Sequence, residues 1–202
     1  MSLARQTPAG GASAEHFADY SRRLSELLAA FDWSGVVALA DDLFDAACTG
    51  RQVFLCGNGG SAGNANHLAN DFLYAWSKTA GQGLRVSALS ANPAVLTCLA
   101  NDEGYDQVYS LQLAVQAQPG DILIAFSGSG NSPNIVKALE EGKRIGMRSY
   151  AVLGFTGGKA KPLADVPIHF ETDDMQIAED TQVVIGHAIV QYLNARRSEV
   201  SK

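Results

Sequence analysis

The sequence predicts an α/β protein: a three-layer sandwich whose central parallel sheet of five strands is covered by helices on both faces. Three observations predict it. Short apolar runs of the kind that form buried parallel strands recur along the chain. Segments with helically spaced apolar residues lie between those runs, so strand and helix alternate. Two strand-to-helix junctions are loops of glycine, serine and asparagine, Gly57-Asn58-Gly59-Gly60-Ser61 and Ser127-Gly128-Ser129-Gly130-Asn131-Ser132. They fall at strand ends, where open α/β sheets place their ligands.

Each element has its own signal. Residues 1–12 are small and polar and read as a loose tail, leaving 13–200 as a single domain with two N-terminal helices. Over 14–30, Phe17, Tyr20, Leu24, Leu27 and Leu28 recur at helical spacing. A second helix starts near Ser34, a suitable N-cap, runs through Val37, Leu39, Leu43 and Phe44, and ends at Gly50. Helices placed before the first strand suit pairing with another subunit. A strand at 53–56, a helix from about 62 to 76 and a strand at 84–89 follow. Helical patches at 94–101 and 107–116 lead to a strand at 122–126. Pro133 then suits the first turn of a helix over 133–145. Strands at 149–153 and 166–170 and a long helix from about 175 to 197 close the domain. Such alternation implies right-handed crossovers and a parallel sheet covered on both faces.

Bulk properties narrow the function. A chain of 202 residues with 47% hydrophobic content can bury one proper core. Its net charge of −6 and pI near 5.1 argue against a broad nucleic-acid surface or an acidic membrane as partner. No apolar run approaches the roughly 20 residues that span a bilayer, and the N-terminus lacks a basic segment followed by a hydrophobic stretch. A cytoplasmic protein is expected. Cys48, Cys56 and Cys98 show no Cys-x-x-Cys spacing and read as buried small hydrophobes rather than as a disulfide framework or zinc ribbon.

The two loops have the chemistry of anion cradles. Glycine lets backbone approach a ligand, serine hydroxyls donate hydrogen bonds, and a helix N-terminus offers unpaired N–H groups at its positive end. One such loop by itself reads first as a connector with a capping serine or asparagine; two in the same context reverse that preference and favour a phosphate or phosphosugar. Neither loop closes with Gly-Lys-Ser/Thr, and neither is a full Gly-x-Gly-x-x-Gly, so a nucleotide is not the first choice.

Two histidines keep acidic company. His67 and Asp71 are four apart on the helix that leaves the first loop and share a face. Glu179 and His187 lie about two turns apart on the last helix, close enough in direction to border one cavity. The alternative is a solvated pair and two unrelated residues. Taken together, a carboxylate and an imidazole from each of two helices can bind a divalent metal or divide acid and base work. His16 and His169 have no such company and read as structural. Asn101-Asp102 reads either as a turn or as a pair that reaches ligand hydroxyls. Trp33 and Trp76 read as packing residues, Lys137, Lys143 and Arg144 as solvating charges, and Lys78 and Arg85 as phosphate partners without supporting pattern.

With these motifs in this order, the chain resembles the sugar isomerase (SIS) domain family over roughly 34–194, and within it the phosphoheptose isomerase branch. The resemblance implies a flavodoxin-like fold, a homotetramer with active sites between subunits, and conversion of sedoheptulose 7-phosphate to a heptose 7-phosphate for surface-glycan synthesis. It implies phosphate binding by Ser127, Gly128, Ser129 and Ser132, and sugar contacts by Asn58, Gly59, Gly60 and Ser61. Asn101 and Asp102 match a substrate-binding pair, as does Glu179. His67, Asp71, Glu179 and His187 match positions serving a zinc site, one ion per subunit, with Asp71 and His187 as the acid–base pair. The chain departs from that branch at three places: Asp71 stands where glutamate is usual, Glu179 where glutamine is, and Gly128 where threonine is more frequent. The shorter Asp71 reaches less far, and the added charge of Glu179 tightens a cation but repels a phosphosugar. An isomerase of another ketose phosphate, or a non-catalytic phosphosugar sensor or replication-initiator-binding relative, are the competing expectations.

Overall fold

The computed structural model describes residues 13–75 and 83–200. The expectations for the 1–12 tail, for Trp76 at the end of a helix and for Lys78 lie outside the described residues. The chain divides into two compact units between Phe31 and Asp32. In the first, α1 (Ala14–Ala30) is the amphipathic helix that the sequence predicts, and none of its residues is fully buried. Arg22 bridges Asp19 and Glu26 on its surface, at 2.6 and 2.9 Å. Exposed pairs of this kind are screened by water and contribute little to stability.

The second unit carries the sheet. Its elements are α2 (Ser34–Thr49), β1 (Gln52–Cys56), α3 (Gly60–Asn70), β2 (Arg85–Ala88), α4 (Pro93–Asp102), α5 (Ser110–Gln116), β3 (Ile122–Ser127), α6 (Pro133–Ile145), β4 (Arg148–Leu153), β5 (Val166–His169) and α7 (Met175–Val200). All five strands are parallel, in the order β2-β1-β3-β4-β5. This is the flavodoxin-like order, and its reversal of direction falls between β1 and β3. The two glycine-serine loops leave those two neighbouring strands, so the topology sets them side by side.

The reason for the sheet's depth is composition. All six residues of β3 are buried. Phe54, Leu123, Ala125, Leu139, Ala151 and Leu153 pack with Tyr109 and Leu113 into one cluster on one side. Helices supply the amphipathic cover: α6 turns Ile135, Ala138 and Leu139 inward and keeps its charges out.

Two elements differ from expectation. The helix expected through 76 is α-helical only to Asn70, and Asp71–Ala75 form a single π-helical turn. The helical patch expected over 107–116 is a 3₁₀ turn, Tyr105–Gln107, followed by α5. Gly104, at φ +103°, separates that turn from α4. Among the described residues no helix is long and apolar enough to cross a membrane.

Candidate active site

A cleft of about 290 Å³ opens at the carboxyl ends of β1 and β3, at the reversal of strand order. Its walls include Asn58, Gly59, Gly60 and Ser61 from the first loop, Ser127, Gly128, Ser129 and Ser132 from the second, and Glu179 and Met175 from α7. Two helices start there, and neither carries a side-chain cap at its N-terminus. Their first N–H groups and dipoles therefore favour an anion in the cleft.

The second loop is built to present hydroxyls. Ser127 Oγ accepts from the Gly130 N–H at 3.1 Å, and Ser129 Oγ from the Asn131 N–H at 3.3 Å. Their lone pairs face the loop's own backbone and their protons remain to donate. Gly130, at φ +66°, lies against the segment after β4; a Cβ there would stand 2.0 Å from the Gly157 carbonyl oxygen. No other residue fits that position. A Cβ on Gly128 would meet Met175 Sδ at 2.5 Å, so the glycine found where threonine is frequent goes with a methionine above it.

The first loop is fixed by amides and phenols that the sequence reading missed. Asn58 and Asn134 exchange two hydrogen bonds, each 2.8 Å. Tyr105 Oη donates to Asn58 Oδ1 at 3.1 Å, and Tyr109 Oη donates to the Gly57 carbonyl. Burial pushes the Tyr109 phenol well above its ordinary pKa, so it stays a donor. Gln182 donates to Ser61 Oγ at 3.0 Å, and Asn64 bonds both the Gln182 side chain and the Glu179 carbonyl. The available signal was spacing: Gln182 follows Glu179 by three, on the same face of α7, and Asn134 follows Ser132 in the first turn of α6.

Beyond the cleft, α3 and α7 bring His67, Asp71 and His187 together. The imidazole Nε2 atoms are 2.8 Å apart, and Asp71 Oδ2 is 3.5 Å from His67 and 3.4 Å from His187. The π turn begins at Asp71, and π turns recur at functional positions. Zinc bonds of about 2.0–2.1 Å to N and O give tetrahedral ligand separations of roughly 3.3 Å. The two carboxylate distances match that value, and the imidazoles need to part by about half an ångström. The three donors thus fit a divalent metal of the borderline class.

Other predicted residues sit elsewhere. Glu179 is not in this cluster: its carboxylate lies where a Cβ of Gly60 would be, 2.2 Å from that point, inside the cleft. Eight residues, about 12 Å of helix rise, separate it from His187. Asn101 and Asp102 close α4, exposed and bonded to each other at 2.7 Å, and do not line the cleft. Arg85 donates to the Gly50 carbonyl at the opposite end of the sheet, away from any phosphate held here. Lys137 pairs with Asp106 at 2.5 Å rather than standing free in solvent. His169 is structural, bonded to the Phe155 carbonyl at 2.9 Å.

Comparison with known proteins agrees with the geometry. The profile of the SIS domain family matches residues 16–154. The chain is 36% identical over 178 residues to a phosphoheptose isomerase of Chlorobaculum parvum, covering 87% of this chain and 85% of that protein. It is 39% identical over 174 residues to the phosphoheptose isomerase of Chlorobaculum tepidum, covering 85% and 83%. Its fold superposes on the phosphoheptose isomerase of Neisseria gonorrhoeae with a TM-score of 0.81 at 27% identity, covering 90% of this chain and 96% of that one. On these grounds the chain belongs to the SIS domain family, in its phosphoheptose isomerase branch.

Proposed function

We propose that the protein is a phosphoheptose isomerase, an aldose–ketose isomerase that converts sedoheptulose 7-phosphate to D-glycero-D-manno-heptose 7-phosphate. The observation that carries this is the pairing of an anion cleft at the β1/β3 reversal with a His67, Asp71 and His187 cluster farther along α3 and α7, which both line that cleft. From Ser61 to His67 is six residues, about 9 Å of helix rise. A long sugar phosphate suits such a site, with one end held as an anion and the other presented to acid–base groups.

The chain's own residues divide the work. Ser127, Ser129, Ser132 and the N-terminus of α6 grip the phosphate, and that binding energy orients the reacting carbons. Asn58 and Ser61 face the hydroxyls. Asp71 takes the proton from C1 of the ketose and returns it to C2. His187 gives a proton to the C2 oxygen and accepts the one leaving the C1 hydroxyl, so the enediol forms and collapses without net change in charge. His67, Asp71 and His187 would hold zinc, one ion per subunit, while Glu179 would have to leave its place against Gly60 to join them. Bound there, zinc would supply polarisation of the sugar's oxygens. The reading extends to a cytoplasmic homotetramer with sites between subunits, serving surface-glycan synthesis. The match to whole phosphoheptose isomerases supports it.

Purified protein is expected to turn over sedoheptulose 7-phosphate, with Asp71→Asn and His187→Ala each lowering kcat about 10²- to 10⁴-fold. Normal turnover in both variants removes the assignment of roles. Faster turnover of a different ketose phosphate keeps the reaction and changes the substrate, which the Glu179 carboxylate in the cleft makes worth measuring.

A further inference from the structure

We infer that Asn134 is a positioning residue for this isomerisation: its amide sets the orientation of Asn58 and registers the sugar-facing loop against the phosphate loop. The inference rests on the function proposed above. Asn134 is only 1% exposed and lies in the first turn of α6, two residues after Ser132. A buried amide is costly unless its donor and acceptor are both met. Its side chain reaches across to the neighbouring loop, and the two amides satisfy each other reciprocally, both at 2.8 Å.

The consequences for Asn58 follow from its hydrogen-bonding inventory. Asn58 Oδ1 receives Asn134 Nδ2 and, at 3.1 Å, the Tyr105 hydroxyl, so its acceptor capacity is filled by protein. One hydrogen of Asn58 Nδ2 goes to Asn134 Oδ1. The other remains, on a residue that lines the cleft. Asn58 is thereby held as a donor toward a ligand oxygen rather than as an acceptor. Because Asn134 shares the first turn of α6 with the phosphate grip, the position of that donor is referred to the phosphate. Buried networks of this kind are stiff only when complete, and the loss of one member releases the other.

A double-mutant cycle on the full chain tests this with sedoheptulose 7-phosphate. Asn58→Ala, Asn134→Ala and the double variant are assayed for kcat and KM, with thermal melts as the check on folding. Asn134→Ala is expected to lower kcat/KM about 10- to 100-fold, as misplacement of about 1 Å does, with most of the loss in kcat because the serine loop still holds the phosphate. In the Asn58→Ala background the same change is expected to cost less than about threefold, since the residue it positions is gone. Additive losses, or a folded Asn134→Ala with wild-type kcat/KM, overturn the inference. Tyr105→Phe keeps the test decisive if Asn134→Ala does not fold. That side chain is 57% exposed, and removing its hydroxyl should lower kcat several-fold in wild type and not in Asn58→Ala. Equal effects in both backgrounds again overturn it. A wild-type protein that neither turns over nor binds sedoheptulose 7-phosphate fails before any variant is compared. That result removes the functional reading itself, and the positioning role with it.

Discussion

Single residues decide whether the cleft exists at all. Gly130 combines φ +66° with a neighbour, the Gly157 carbonyl, that leaves no room for a Cβ. Gly130→Ala must therefore move either the serine loop or the segment that braces it. Charge-assisted hydrogen bonds to a phosphate contribute about 1.5–3 kcal/mol each, so displacing one raises KM roughly 10- to 100-fold. Steady-state kinetics check this, and an unchanged KM would mean that the loop is not the phosphate grip. A second residue-scale expectation concerns the thiols. Burial pushes Cys56 up to about 12, as expected of a core thiol, whereas Cys48 and Cys98, expected to be buried too, are exposed, Cys98 donating to Asp102 and shifted upward by it. At pH 8 an alkylating reagent should label Cys48 and Cys98 in the folded protein and reach Cys56 only on unfolding, which mass spectrometry of the labelled peptides reads directly.

At the scale of elements, the strands are held at the end away from the site by aspartates. Asp121, 7% exposed, accepts from the Gln52 N–H at 2.9 Å and the Gln118 N–H at 2.8 Å, tying the start of β1 to the turn before β3. Asp165 does the same for β4, accepting from the Ser149 N–H and Oγ. Asp121→Ala leaves two N–H groups without acceptors and should cost about 2–4 kcal/mol of stability. The urea midpoint falls while kcat/KM stays at wild type, because the cleft is at the other end of the sheet. Elements of this type were legible in the sequence wherever one pattern was enforced by burial. The apolar run at 122–126 has no alternative to a central strand, and Pro133 and Gly146 bound α6 chemically. The loops were legible because serine and glycine are needed close to an anion. The π turn at Asp71 was not, since Phe72 and Leu73 continue a helical spacing and only tertiary packing chooses the wider turn. Nor was the inner bracing: Asn134, Gln182 and Tyr109 work through partners 76, 121 and 52 positions away, and such pairings leave no local pattern. Glu179 shows the limit from the other side. Helical phase put it in line with His187, but phase says nothing of how far a side chain turns, and Gly60 offered it a nearer place.

Over the whole molecule, the assembly expected of this family meets the chemistry at the π turn. Leu73 and Tyr74, two and three residues beyond Asp71, are 57% and 61% exposed in the isolated chain. Contiguous apolar side chains left in water mark interaction surfaces, and these two stand beside the carboxylate proposed as the base. If a neighbouring subunit covers them, it also fixes the turn that aims Asp71, whose side chain is 16% exposed and lies 3.5 and 3.4 Å from the two imidazoles. Association and catalysis are then one property. The double variant Leu73→Asp/Tyr74→Asp places two charges on that face, each disfavoured on burial without a partner. It should sediment as a smaller species than wild-type protein at the same concentration, if the proposed tetramer forms through this face. Its kcat should fall at least tenfold, with KM changed less, because the serine loop lies at the cleft and not at the turn. A variant that stays tetrameric and fully active would place the subunit contact elsewhere, while one that dissociates yet keeps its kcat would show that Asp71 is aimed by its own chain alone.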